Sequence, residues 1–233
     1  MTIATRTVNT AVKAWTHLVC RIDATQLALV PQKGPLIVVT NHVTSLEVPL
    51  IYAHLQPRPV TGFVKAETWE NPFMGYLFDL WGGIPLRRGE ADVEAIRQAL
   101  EALEAGKILG VAPEGTRSFN GLLQRGRPGT ALLALRSGAP VMPLVFYGGE
   151  RVNENLKRLR RTDFHIVVGQ PFFVHNAGMK VTSQVRQQIV DEIMYQIAAV
   201  LPPAYRGLYS DLSSATETFL RFVPPFHSNL AEN

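Results

Sequence analysis

Three short polar clusters bring reactive residue types to close spacing. The segment Asn41-His42-Val43-Thr44-Ser45-Leu46-Glu47 sets an imidazole five residues before a carboxylate. In one continuous helix those positions lie about 140° apart and do not meet. With His42 in a loop and Glu47 in the first helical turn, the chain folds back and joins them. The carboxylate then fixes the ring tautomer and leaves the other nitrogen free as a base. Thr44-Ser45-Leu46-Glu47 is also a capping box, in which Glu47 serves the backbone and His42 is an ordinary loop residue. On residue chemistry alone the capping role is the one to prefer.

The second cluster, Gly82-Gly83-Ile84-Pro85-Leu86-Arg87-Arg88-Gly89, puts two arginines at a strand end. Planar guanidinium groups offer paired donors to phosphate, and an exposed charged turn has the same composition. The third, Pro113-Glu114-Gly115-Thr116-Arg117-Ser118, packs a carboxylate, a glycine, hydroxyls and a guanidinium into one loop after an apolar strand. Loops at the strand ends of open sheets are where ligands bind, so this cluster reads as functional.

Other features are less directed. Leu156-Lys157-Arg158-Leu159-Arg160-Arg161 is either a solvated turn or a patch for an anionic partner. No aromatic residues interleave with it, which argues against nucleic acid. Phe73, Tyr76, Leu77, Phe78 and Trp81 suit core packing, with the wall of an apolar tunnel as the alternative. His165 and His175 have no partner pattern and read as structural. The single cysteine, Cys20, excludes an internal disulfide framework and a cysteine metal cluster.

The elements that must position these clusters follow from the patterning. The chain has 233 residues, 46% hydrophobic and 18% charged, with 23 Lys+Arg against 19 Asp+Glu and a net charge of +4. That excludes disorder and suits a compact α/β domain with a phosphate-bearing partner. Val8, Ala11, Val12, Trp15, Leu18, Val19 and Ile22 recur at helical spacing, predicting an N-terminal amphipathic helix that packs on the domain, rests in a lipid interface, or does both. No signal-peptide core is expected there, and no run approaches the ~18 apolar residues of a membrane span. Strands are predicted at 35–40, 59–65, 83–86, 107–112, 141–147 and 164–168. Helices are predicted at 44–55, 71–81, 92–105, 128–137 and 184–201. The alternation predicts an α/β fold with a mixed, largely parallel sheet flanked by helices. The expected organisation is an N-terminal amphipathic segment over 1–30, the α/β domain over 31–205 and a tail over 206–233.

Taken together, the clusters resemble the phospholipid and glycerol acyltransferase family, typified by 1-acylglycerol-3-phosphate acyltransferases. Asn41-His42 to Glu47 is similar to its first motif, Gly83-Ile84-Pro85-Leu86-Arg87-Arg88 to its second, and Glu114-Gly115-Thr116-Arg117-Ser118 to its third. Val141-Met142-Pro143-Leu144 resembles the fourth. Lys65-Ala66-Glu67 and Pro128-Gly129 also fall where the family places similar residues. The resemblance spans roughly residues 35–170 and reverses the preference at His42. It implies transfer of a fatty acyl group from an acyl thioester to the hydroxyl of a lysophospholipid, lysophosphatidic acid above all. His42 would be the general base oriented by Glu47, and Arg88 and Arg117 would hold the acceptor phosphate while Glu114, Gly115 and Thr116 shape the pocket.

The leaving thiolate, whose parent thiol has a pKa near ~8.5, requires neither metal nor bound cofactor. The thioester would arrive on coenzyme A or an acyl carrier protein. The expected setting is cytoplasmic, with the protein held peripherally or monotopically on the inner face of a membrane. Two departures stand out: Glu47 replaces the family's aspartate, and Pro85 and Arg87 stand where phenylalanine and aspartate are common. Glu47, one methylene longer, keeps the His42 contact only if the backbone or helix placement shifts, and is otherwise only a cap; Pro85 and Arg87 bear on the acceptor more than on the reaction. The alternatives are another lysolipid or glycerol 3-phosphate as acceptor, or a non-catalytic lipid-binding module.

Overall fold

The computed structural model describes residues 2–87 and 92–232. The chain opens with α1 (Ile3–Val19) and β1 (Cys20–Asp23), then continues through β2 (Leu36–Val39), α2 (Glu47–His54), β3 (Val60–Lys65), α3 (Pro72–Trp81) and β4 (Ile84–Leu86). The second half runs α4 (Val93–Glu104), β5 (Ile108–Val111), α5 (Gly129–Ser137), β6 (Val141–Tyr147), α6 (Val152–Lys157) and β7 (Thr162–Val168). It ends with β8 (Phe173–Val174), α7 (Ser183–Val200) and β9 (Leu220–Arg221).

Seven strands form one sheet in the order β1-β7-β6-β2-β5-β3-β4. Every neighbouring pair is parallel except β6 with β7. The sheet is therefore mixed and largely parallel, as expected. β2 is buried along its whole length because helices cover both faces, which is why it reads as an unbroken apolar run. One face packs Ile37, Val39, Leu109 and Val111 against α4, α5 and α7. The other packs Leu36, Val38, Ile108 and Leu144 with side chains of α2 and α3.

The N-terminal helix departs from the expected stripe. It stops at Val19, and Cys20–Asp23 pair with β7 instead of extending it. Its packed side carries Val12, Val19 and two buried polar residues, Thr16 and Asn9; Asn9 accepts a bond from Trp81 Nε1 at 2.9 Å. Trp15 and Leu18 point out, 48% and 73% exposed. β1 is an edge strand of the main sheet. Beyond residue 206 the chain lays Tyr209, Phe219 and Leu220 into the same core as α7. There the buried Glu192 accepts from Thr216 Oγ1 and from the Thr218 and Phe219 N–H groups. No helix among the described residues is long and apolar enough to cross a membrane.

Candidate active site

The site is assembled at the carboxyl ends of β2 and β5, where open parallel sheets present their loops. The chain leaving β2 is fixed first by Asn41, whose buried amide donates to the Phe146 carbonyl at 2.7 Å and accepts from the Phe146 N–H at 2.9 Å. His42 is then held at both backbone groups. Its N–H donates to Glu114 Oε1 at 3.1 Å, and its carbonyl accepts from the Ser118 N–H at 2.8 Å.

The His42 ring turns towards Glu47, with Nδ1 3.2 Å from Oε2. The other carboxylate oxygen accepts from the Thr44 N–H at 2.7 Å and from Thr44 Oγ1 at 2.9 Å. Thr44 Oγ1 in turn accepts from the Leu46 N–H. Glu47 thus meets the ring with one oxygen and the Thr44 bend with the other, while α2, with Leu46 as its N-cap, has no side-chain cap. α2 starts only at Glu47, three residues later than the sequence predicts, because Thr44 to Leu46 form the bend that returns the carboxylate to the ring. A carboxylate already accepting from two donors serves the ring as an acceptor. Nδ1 is therefore the ring nitrogen turned to the carboxylate, and Nε2 is the one left for other partners.

Glu114 does not line the cavity. It is buried, and its oxygens are taken by the His42 and Gln124 N–H groups. Burial raises its carboxyl above the ordinary range, opposed by those two N–H donors. Its function is to tie two loops together. Gly115 and Thr116 do line the cavity beside His42 and Glu47. The Arg117 guanidinium lies over the Phe119 ring, 5.5 Å from its centroid, with no carboxylate partner among the described residues. Arg88 lies outside the described residues. Arg87 lines the cavity, its N–H donating to Asp92.

The cavity holds about 940 Å³. Its α2 side is apolar, with Val48, Ile51, Tyr52, Val60 and Val64; across the sheet it meets Phe63, Leu86, Ile96 and Leu133. Two glycines keep it open at the β3–β5 seam. Gly62 pairs with Gly110, and a Cβ on Gly62 would stand 3.0 Å from the Gly110 carbonyl. Tyr52, stacked on Trp81 at 4.9 Å, brings its hydroxyl to 3.7 Å from that same point. The aromatic stretch of α3 contributes to packing: Phe78 and Trp81 are buried, while Phe73 and Tyr76 face outwards. His165 stacks on Tyr147, and His175 accepts from the Ala177 N–H.

The roles of Asn41, Gly62, Gly110 and Arg127 emerge only from the fold. Arg127 lines the cavity and donates from Nε to the Glu114 carbonyl at 3.2 Å. Its one sequence signal is a cation directly before the Pro128-Gly129 helix start.

The fold and this site define an α/β protein that presents a histidine–carboxylate pair at the head of a largely apolar cavity. The chain belongs to the Acyltransferase family, whose model matches residues 21–147. It is 30% identical over 185 residues to the lyso-ornithine lipid O-acyltransferase of Pseudomonas aeruginosa, covering 72% of this chain and 70% of that protein. It is 25% identical to the chloroplastic 1-acyl-sn-glycerol-3-phosphate acyltransferase BAT2 of Brassica napus, over 68% of this chain and 46% of the relative. A 1-acyl-sn-glycerol-3-phosphate acyltransferase of Borreliella burgdorferi is 26% identical over 51% of this chain and 48% of its own. The chain thus spans about half the length of the latter two relatives. The crystal structure of PlsC, the 1-acyl-sn-glycerophosphate acyltransferase of Thermotoga maritima, shares the fold. Its TM-score is 0.57 at 21% identity, over 81% of this chain and 76% of that one.

Proposed function

We propose that the protein transfers a fatty acyl group from an acyl thioester to the free hydroxyl of a lysophospholipid, lysophosphatidic acid first among them. The observation that carries this reading is the His42–Glu47 contact at the head of a cavity with apolar walls. His42 Nε2 takes the hydroxyl proton as that oxygen attacks the thioester carbonyl, and Glu47 stabilises the resulting imidazolium. Collapse of the tetrahedral intermediate breaks the carbon–sulfur bond, and the imidazolium returns its proton to the departing thiolate. The walls on the α2 side and the Gly62–Gly110 seam accommodate the acyl chain. Arg117 and Arg88 are the expected ligands of the acceptor phosphate, and Arg87 adds a cation that lines the cavity. The thioester comes on coenzyme A or an acyl carrier protein.

The lipid substrates place the protein at a membrane surface, peripherally or monotopically on its inner, cytoplasmic face. Exposed Trp15 and Leu18 on α1 and the cations of residues 156–161 support that placement. A second reading of the acceptor, a lyso-aminolipid, is favoured by the lyso-ornithine lipid O-acyltransferase, to which the match covers about seven-tenths of each chain.

The test is thiol release from an acyl thioester, with lysophosphatidic acid, with a lyso-aminolipid, or with neither. Acceptor-dependent release is expected, and His42→Ala should reduce it about 10³-fold with the melting temperature unchanged. Release that survives His42→Ala overturns the assignment of the base. No release with any acceptor favours a lipid-binding module.

A further inference from the structure

One polar atom in the apolar wall of the cavity is left without a bond. Tyr52, in α2, is 4% exposed, and its hydroxyl has no hydrogen-bond partner among the described residues. Buried hydroxyls are normally paired, so an orphan that lines a cavity points to something that enters it. Thr61, its polar neighbour, turns its own hydroxyl proton to the Gly82 carbonyl at 2.6 Å. Burial, opposed by Thr61, raises the phenol's pKa, so the group stays a neutral O–H donor.

The ring is fixed in place. It stacks on Trp81 with centroids 4.9 Å apart and planes 7° from parallel. Trp81 is in turn anchored through Nε1 to Asn9 Oδ1 at 2.9 Å. Gly62 keeps room at the hydroxyl, since a Cβ there would stand 3.7 Å from it. Around it this wall is hydrocarbon, with Val48, Ile51, Val60 and Val64. Gly62 belongs to β3, two strands across the sheet from β2, whose end carries His42. Two strand spacings amount to roughly 10 Å. The hydroxyl therefore faces the length of a chain lying in the cavity, and not the carbonyl reacting at His42.

A plain alkyl chain lying there leaves the phenol unpaired, whereas a chain carrying an oxygen at that depth pairs it. We infer that Tyr52 is a specificity residue for oxygenated fatty chains, reading a hydroxyl part-way along the chain that lies against α2 and the Gly62–Gly110 seam. This rests on the acyl-transfer reading and deepens it by naming a substrate class. The incoming acyl group and the acceptor's resident chain offer the same chemistry, and the experiment separates them.

The experiment measures kcat/KM for palmitoyl-coenzyme A and for counterparts hydroxylated beside the carbonyl or mid-chain, in wild type and Tyr52→Phe, with lysophosphatidate as acceptor. A second series keeps palmitoyl-coenzyme A and moves the hydroxyl to the acceptor's chain. The readout is the ratio of hydroxylated to plain substrate. Tyr52→Phe should lower the mid-chain ratio about tenfold, the worth of one buried hydrogen bond. The series in which the ratio falls identifies the chain that carries the oxygen. A merely structural role moves plain and hydroxylated substrates together. A fall only beside the carbonyl, or no fall in either series, overturns the inference. Calorimetry with palmitate and mid-chain hydroxypalmitate asks the same of the cavity without turnover. There, a preference for the hydroxylated acid that Tyr52→Phe abolishes supports the recognition even if wild type releases no thiol, which would overturn the acyl-transfer reading alone. Neither turnover nor such a preference overturns both. The substitution removes only an oxygen without a partner, and melting temperatures check that the variant is folded. Should it not be, equal binding of the two acids by wild type overturns the inference and preference for the hydroxylated one supports it.

Discussion

Around His42 the chain leaves few polar atoms unengaged, whereas the turn at residues 156–161 leaves several of its cations free. The His42 backbone is bound on both sides, Asn41 bridges to β6, and the Glu47 carboxylate has a donor on each oxygen. In the turn, Lys157, Arg158 and Arg160 are exposed and have no carboxylate partner among the described residues. Leu159 at its tip is 94% exposed, with φ +53°. The turn is tied to α1 by Arg161, whose Nη2 donates to the His17 and Cys20 carbonyls at 2.6 and 2.7 Å. The contrast reflects two physical tasks. Proton transfer needs a ring held within a fraction of an ångström, so its surroundings are over-determined. A fluid anionic surface has no fixed partner positions, and long unpaired cations beside apolar tips suit it better.

The sharpest way to break this comparison is to remove the fixing without touching the ring. Glu114→Ala strips the acceptor from two N–H groups, those of His42 and Gln124. Leaving buried donors unpaired costs about 1–3 kcal/mol each. The variant should be destabilised by about 2–4 kcal/mol in urea melts and lose acyl transfer about 100-fold at a temperature where it is still folded. Full turnover by the folded variant would mean that the clamp around His42 is dispensable.

The opposite change belongs to the turn. Replacing Lys157, Arg158 and Arg160 together by Gln should lower partitioning onto vesicles containing phosphatidylserine about 10–100-fold, at roughly 1 kcal/mol or less per cation. Turnover of a short-chain, water-soluble acceptor should stay at the wild-type rate. Binding to neutral vesicles should change little, and raised salt should erase the difference. Undiminished binding to the anionic vesicles would make the turn an ordinary solvated one.

These two regions were also legible in the sequence to different degrees. β2, β5 and β6 show as apolar runs because both sheet faces are covered. β1 does not, because Cys20 and Ile22 continue the spacing of α1 and an edge strand of four residues carries little pattern of its own. The stripe of α1 was visible, but its orientation was set by tertiary contacts, with Asn9 turned inwards to meet Trp81. At the site, His42, Glu47 and the 114–118 loop announce themselves by residue type. Gly62 and Gly110 lie far apart in sequence and acquire meaning only as strand neighbours. Arg127 depends on Gly115 having no side chain, a condition that spacing does not express. Glu114 looked like part of the pocket because a carboxylate in a loop reads the same whether it faces a ligand or a backbone.

The smallest expected effect lies where α1 rests on α2. His54 closes α2, its ring 5.4 Å from that of His17, and its Nε2 is buried without a hydrogen-bond partner. Burial first, then the charges of Lys13 and His17 on α1, holds its pKa down at about 4 against an ordinary 6.5. The folded state therefore takes up this proton less readily than the unfolded chain. The contribution to stability is complete above pH 6.5 and is lost as pH falls from 6.5 towards 4. Discounted for the part of the ring that water still reaches, the loss is on the order of 1 kcal/mol. Thermal melts at pH 7, 5.5 and 4.5 should show wild type losing more stability than His54→Gln over that window. Parallel profiles for the two proteins would remove His54 as the pH-sensitive contact. A wider gap would mean that α1, the element offering Trp15 and Leu18 to its surroundings, is held to the domain largely by keeping this one ring neutral.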